Sequence, residues 1–288
     1  MIRLYWFFLL VLFFLAACRK GDKVPSYIEI PGVSVVAMSG SGTSTSKITD
    51  VWVYANDQLL GTWELPARIP IIAEGTTKIQ VSPAVKRNGM YDDRARYPFY
   101  TWWTEMVDLQ LKASIILQPQ VAYEPDLDIW SETFEDPGFQ FIVAESSDTT
   151  LIRFTPAEHP EVQQLEGSAA AGGWVLDQAH PYMRIYTDED FPATGGPMFL
   201  EVDFSTNVAL TMGVLFLDAG QSVSQPFVYL SPTVEGSGSV PVWNKVYIDL
   251  SPIYNLGIAQ RDIYFEATAP SGGVARVYLD NVKLVRNQ

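Results

Sequence analysis

Beyond an apolar leader, no stretch of twelve residues in this chain carries a 3.6-residue apolar period. What recurs is short alternation between turn residues, and that pattern places side chains on the two faces of a strand. Val51-Trp52-Val53-Tyr54 is β-branched and aromatic, and Asn56-Asp57 follows as a turn. Lys78-Ile79-Gln80-Val81 alternates cleanly, and Asn88-Gly89 is a turn dipeptide able to close a hairpin. Val33 to Ala37, Val107 to Leu111 and Ile115 to Tyr123 complete the strands of the first part. The chain is therefore expected to be all-β, with helix confined to Glu161–Leu165 or a turn near Ile253.

Glu124-Pro125-Asp126-Leu127-Asp128 is an acidic, Pro-containing boundary, and a second series of strands follows it. Gln140–Val143, Leu151–Phe154, Met183–Tyr186, Phe199–Phe204, Leu210–Leu217, Phe227–Leu230, Lys245–Asp249, Ile263–Phe265 and Arg276–Val285 are separated by Gly, Pro, Ser and Asn clusters. Such spacing predicts an antiparallel sandwich. The two β patterns do not interleave, so residues 124–288 are expected to fold on their own.

Charge divides unevenly at the boundary. Residues 19–123 hold 11 basic and 10 acidic side chains, whereas residues 124–288 hold 7 and 23. The formal charge of the whole chain is −14, which argues against nucleic acid as a partner. The acidity of the second half reads either as solubility or as attraction for a cation or a basic partner. One Cys excludes an internal disulfide, and two His exclude a His-rich centre. His159 and His180 each precede Pro, which places both in loops.

Arg3 followed by the apolar run Leu4–Leu15 reads as a secretory signal, because twelve helical residues span only about 18 Å. Leu15-Ala16-Ala17-Cys18 resembles a bacterial lipobox. The resemblance implies that residues 1–17 are removed, that Cys18 is lipidated, and that residues 18–26 form an anchor and tether. No Asp follows Cys18, which directs the expectation to the outer membrane and leaves surface or periplasmic face open.

Within an expected first domain of residues 27–123, residues 48–81 resemble an Ig-like or PEGA-like β module, carried by Val51–Tyr54, Asn56-Asp57, Leu60-Gly61, Pro66, Ile71-Ile72, Glu74-Gly75 and Lys78–Val81. A long insertion from Val81 to Trp103 departs from that pattern. Residues 124–288 resemble a carbohydrate-binding-module-like jelly roll. The likeness is carried by Thr133-Phe134-Glu135, by Trp243–Ser251 and by Val277-Tyr278-Leu279-Asp280-Asn281-Val282-Lys283-Leu284. The whole layout is similar to Bacteroidetes-type outer-membrane lipoproteins.

The jelly-roll resemblance implies neighbouring first and last strands, with Glu135 and Asp280 as candidate ligands of a structural Ca²⁺ and no other cofactor. Tyr97, Phe99, Tyr100, Trp102 and Trp103 form the densest aromatic run of the mature chain. They are candidates for stacking on sugar or docking on a protein, or else for filling the core and the domain junction. No nucleophile elbow, phosphate loop or paired-carboxylate constellation is legible, so no catalytic residue is assigned. The expectation is a non-catalytic, lipid-anchored binding or accessory subunit at the outer membrane, partnered by an outer-membrane protein. A glycan-binding lipoprotein is the first alternative, and a glycan-active enzyme the second.

Overall fold

The computed structural model describes residues 24–37, 43–192, 195–234, 241–256 and 261–288; Cys18 and the leader lie outside them. Among the described residues, no helix is long and apolar enough to cross a membrane. The chain is all-β, as its alternation predicts.

The first half lays down β1 (Ser26–Ile30), β2 (Ser34–Val35), β3 (Asp50–Ala55), β4 (Gln58–Glu64), β5 (Ala67–Ile71), β6 (Gly75–Lys86), β7 (Arg94–Arg96), β8 (Trp103–Leu109), β9 (Ser114–Ile116) and β10 (Gln120–Val121). One sheet has the order β5-β1-β9; the facing sheet runs β4-β3-β6-β7, with β8 also on β6. Strict alternation decides which side chains meet between them. Ile28 and Ile30 from β1 pack with Val51, Val53, Ile79 and Val81 from the other sheet, while Trp52 and Tyr54 must face outward. Asn56 and Asp57 both have positive φ, so the β3–β4 turn is of the kind that matches strand twist.

The second half contributes β11 (Leu127–Glu132), β12 (Phe141–Val143), β13 (Ile152–Phe154), β14 (Ala171–Leu176), β15 (Tyr182–Thr187), β16 (Met198–Thr206), β17 (Leu210–Asp218), β18 (Gln221–Leu230), β19 (Asn244–Asp249), β20 (Arg261–Thr268) and β21 (Ala275–Asn287). One sheet has the order β13-β14-β21-β16-β19 with β11 also on β21, and the other the order β12-β15-β20-β17-β18. The chain passes repeatedly between the sheets, giving a jelly-roll sandwich around Trp174, Leu200, Met212, Phe265 and Leu279. First and last strands are neighbours: Trp130 opposes Leu284 and Glu132 opposes Val282.

One local expectation is corrected. Residues 161–165 are irregular after a turn at Pro160-Glu161 and form no helix. The only helix among the described residues is the single turn Ser251–Tyr254, near the Ile253 position expected. Strand β14 was hidden by its small residues. A Cβ on Gly172 would sit 2.1 Å from Phe134 Cε1, and one on Gly173 would sit 2.2 Å from the Val277 carbonyl oxygen. The glycines are there so that a ring and a neighbouring backbone can approach.

The two sandwiches share a third buried cluster, and the Val81–Trp103 insertion builds much of it. Tyr97, Phe99 and Tyr100 are 2%, 1% and 2% exposed and pack with Phe199, Tyr247 and Val285 on the outer face of the β16-β19-β21 region. Tyr97 lies 5.2 Å from the Phe199 ring and 4.9 Å from that of Tyr247. This corrects the docking role considered for those three aromatics: they are consumed inside the molecule. The Asn88-Gly89 turn serves the same junction. Asn88 N–H donates to the Tyr247 carbonyl at 2.8 Å, and Asp249 N–H donates to Asn88 Oδ1 at 3.0 Å. Trp103 is partly buried between the first core and the junction, leaving Trp102 as the exposed ring of the run.

Candidate functional site

The sheet β12-β15-β20-β17-β18 turns one face to the core and the other to solvent. On β15, Met183 and Ile185 point inward, so Tyr182, Arg184 and Tyr186 point out. On β20 the outward set is Asp262, Tyr264 and Glu266, because Ile263, Phe265 and Ala267 belong to the core. Register then places these residues in rows. Arg184 opposes Glu266, which opposes Thr211, which opposes Tyr229. Tyr186 opposes Tyr264, which opposes Gly213, which opposes Pro226. Asp262 opposes Leu215, which opposes Ser224.

The middle row forms a floor. A Cβ at Gly213 would stand 2.4 Å from Tyr264 Cζ, so glycine is what lets the Tyr264 ring lie flat across β17. Arg184 covers that ring from the other side, with its guanidinium carbon 4.6 Å from the centroid. Arg184 Nε donates to Glu266 Oε2 at 2.8 Å, and Tyr182 Oη donates to the same oxygen at 2.7 Å. The arginine is thereby locked in one orientation. Burial opposes its charge, but the Glu266 bond and charge outweigh burial and raise its pKa. Burial, then the Glu266 hydrogen bond and charge, push the Tyr182 phenol up to about 12, so it stays a donor at neutral pH.

Beside this row lies a groove of about 460 Å³, lined by Arg184, Tyr186, Asp190, Leu215, Ser222 and Asp262 among others. Burial, then the charge and hydrogen bond of Asp190, raise the Asp262 carboxyl to about 6. Both acids line the groove, where they offer paired acceptors for hydroxyl groups. Polar side chains of fixed orientation around half-buried Tyr186 can read a polyhydroxylated ligand, by stacking on one face and hydrogen-bonding at the rim. Sequence reading did not single out these residues. The only available signal was the polar-aromatic member of each alternation, Tyr182-x-Arg184-x-Tyr186 and Asp262-x-Tyr264-x-Glu266.

The candidates drawn from sequence lie elsewhere. Glu135 Oε1 accepts from Ser168 Oγ at 2.8 Å and from Ala169 N–H at 2.9 Å. Asp280 is buried; its Oδ1 accepts from Asn281 N–H at 2.7 Å, and its Oδ2 has no partner. Burial raises the Asp280 carboxyl to about 7, against the opposing Asn281 bond; Asp203 and Glu135 add to the rise. Glu135 and Asp280 are therefore electrostatic neighbours, and Glu135 and Asn281 line one cavity of about 640 Å³. Among the described residues, no cluster of three or more His, Cys, Asp or Glu has metal-holding geometry. His159 lies over the Phe154 ring and contacts Glu161, while His180 caps a turn with Asp177; the structure brings neither to the groove.

No protein-family model matches this chain, and no curated protein matches it. Among solved structures, similarity is found to a family 28 carbohydrate-binding module specific for non-crystalline cellulose. Identity is 16%, over 53% of this chain and 91% of that one, with a TM-score of 0.36. A family 61 carbohydrate-binding module in complex with β-1,4-galactotriose is 10% identical over 51% and 88% of the two chains, with a TM-score of 0.32. The enzymatically active domain of tailspike protein 4 from bacteriophage CBA120 is 14% identical at a TM-score of 0.35. The match covers 53% of this chain and only 20% of the tailspike. Likeness at this level assigns neither ligand nor activity to this chain.

Proposed function

We propose that this protein binds glycan, non-catalytically, through the outward face of the β12-β15-β20-β17-β18 sheet. One observation carries the reading. Tyr186, the locked Arg184–Glu266 pair and the Asp190–Asp262 acids converge on one groove of about 460 Å³. Sugars offer hydroxyls that pair with fixed carboxylates and guanidinium, and C–H faces that rest on aromatic rings. The lipobox at Cys18 adds a tether, so the module would hold a saccharide at the outer membrane. An outer-membrane protein partner loses its main support, because Tyr97, Phe99 and Tyr100 are buried in the junction. The test is a glycan microarray probed with the full chain and with Tyr186→Ala. The proposal expects a defined set of neutral-glycan hits that the substitution removes; an array without neutral-glycan hits, or with neutral-glycan hits untouched by the substitution, contradicts it.

A structural Ca²⁺ at Glu135 and Asp280 is proposed alongside. Its support is the buried Asp280 Oδ2, which has no hydrogen-bond partner and stands near a second carboxylate. Hard oxygen ligands of this kind suit Ca²⁺, with Glu135 and Asp280 as its side-chain ligands.

A further inference from the structure

The outer face of the first sandwich's larger sheet carries a second set of aromatics, unconnected with the groove. Val51 and Val53 fill the core, so Trp52 and Tyr54 of β3 stand on the solvent side. Trp102 joins them from the segment before β8, with its ring 5.1 Å from that of Tyr54 and tilted by 31°. Trp102 is 41% exposed, and Trp52 and Tyr54 are half-buried. The Arg96 guanidinium lies between the two tryptophans, 5.2 Å from the Trp52 ring and 5.5 Å from the Trp102 ring.

Charge separates Arg96 from its neighbours. Lys78 pairs with Asp57 at 2.7 Å, Lys86 with Glu64 at 2.9 Å, and Arg94 with Asp50 at 3.2 Å and Glu64 at 3.3 Å. Arg96 is exposed, and among the described residues it has neither a carboxylate within 4.0 Å nor a side-chain hydrogen-bond acceptor. A planar guanidinium held by two rings keeps its N–H edge free and oriented, which is the arrangement that captures a carboxylate bidentately. The exposed ring beside it supplies the stacking surface a pyranose uses.

We propose that Trp52, Arg96, Trp102 and Tyr54 form a second saccharide site, and that this site takes a carboxylate-bearing sugar, a uronic-acid polysaccharide. The sugar ring stacks on Trp102 and Tyr54, and its carboxylate meets Arg96. The proposal does not depend on the groove, whose acids Asp190 and Asp262 would repel the same ligand.

The experiment is titration of the full chain with oligogalacturonate and with its methyl ester, which keeps the sugar backbone and removes the charge. The expected result is binding of the acid form, at least tenfold weaker binding of the ester, and further weakening of the acid form by added salt. Trp102→Ala should weaken both ligands at least tenfold. Arg96→Gln should weaken the acid alone and bring the two ligands to similar affinity. Tyr186→Ala, in the groove, should change neither. Trp102 and Arg96 are exposed, so unchanged melting temperatures verify that the variants fold. The proposal is overturned if no oligogalacturonate binds at millimolar concentration, which would leave the face to a protein partner. It is equally overturned if the ester binds as well as the acid, or if Tyr186→Ala abolishes binding.

Discussion

Tyr97 Oη donates a 2.7 Å hydrogen bond to Glu201 Oε1, across 104 positions of sequence and from one sandwich into the other. Glu201 is fully buried and also accepts from Tyr123 Oη at 2.9 Å, while Lys245 Nζ stands 3.3 Å away and reaches Asp203 at 3.1 Å. Burial lowers the Lys245 charge state's favour, but Asp203 and Glu201 outweigh it and raise its pKa. A buried carboxylate needs this full set of partners, because each one lost leaves charge that water cannot reach. Tyr97→Phe is therefore expected to destabilise the whole chain by about 1.5–3 kcal/mol in equilibrium urea unfolding. A change within error would show that the junction is not closed in solution.

Residues 124–288 expressed alone would lose the cover over Phe199, Glu201, Tyr247 and Val285. The expected outcome is a fragment with a markedly lower melting temperature than the full chain, with dye binding to its newly exposed face. Equal melting temperatures would mean the second sandwich needs nothing from the first.

Asp280 sets a pH dependence. Its carboxyl is raised to about 7 by burial, with Asp203 and Glu135 adding to the rise against the Asn281 bond. A carboxyl whose folded pKa exceeds its unfolded value contributes stability below about pH 4 and loses it as pH climbs through about 7. Without Ca²⁺, wild type should therefore lose stability between about pH 4 and 7, and Asp280→Asn should lose less. Millimolar Ca²⁺ should restore wild type at pH 8 by ligand linkage and leave Asp280→Asn unmoved. A Ca²⁺-independent melting temperature in both proteins would retire the metal.

Gly172→Ala is a packing test. Its Cβ would sit 2.1 Å from the Phe134 ring, in the segment between β11 and β12, so the ring must move. Overpacking of this kind costs about 1–3 kcal/mol, read as a shifted denaturation midpoint at constant slope.

Strand positions were legible wherever alternation was clean: at Val51–Tyr54 the outward side chains are half-buried, and at Phe199–Phe204 the alternating polar side chains are there although both faces are buried, one of them at the junction. Strand β14 was not, since its Ala-Gly-Gly start has no side chains to alternate and its purpose is visible only against Phe134. The aromatic run could be seen but not placed: sequence cannot tell a ring facing solvent from one facing a second sandwich. Tyr97 and Trp102 are five positions apart, yet one is 2% and the other 41% exposed. The groove was illegible for a different reason. Arg184 and Asp262 come from strands distant in sequence, and only the β15-β20-β17 register unites them.

The groove is where neutral glycan should bind, and calorimetric titration of an array-selected neutral oligosaccharide tests it. Wild type should bind with a measurable enthalpy. Tyr186→Ala and Arg184→Ala should each weaken binding by tenfold or more, about 1.4 kcal/mol, while Trp102→Ala leaves it unchanged. Equal affinity in wild type and both groove variants would contradict the central claim.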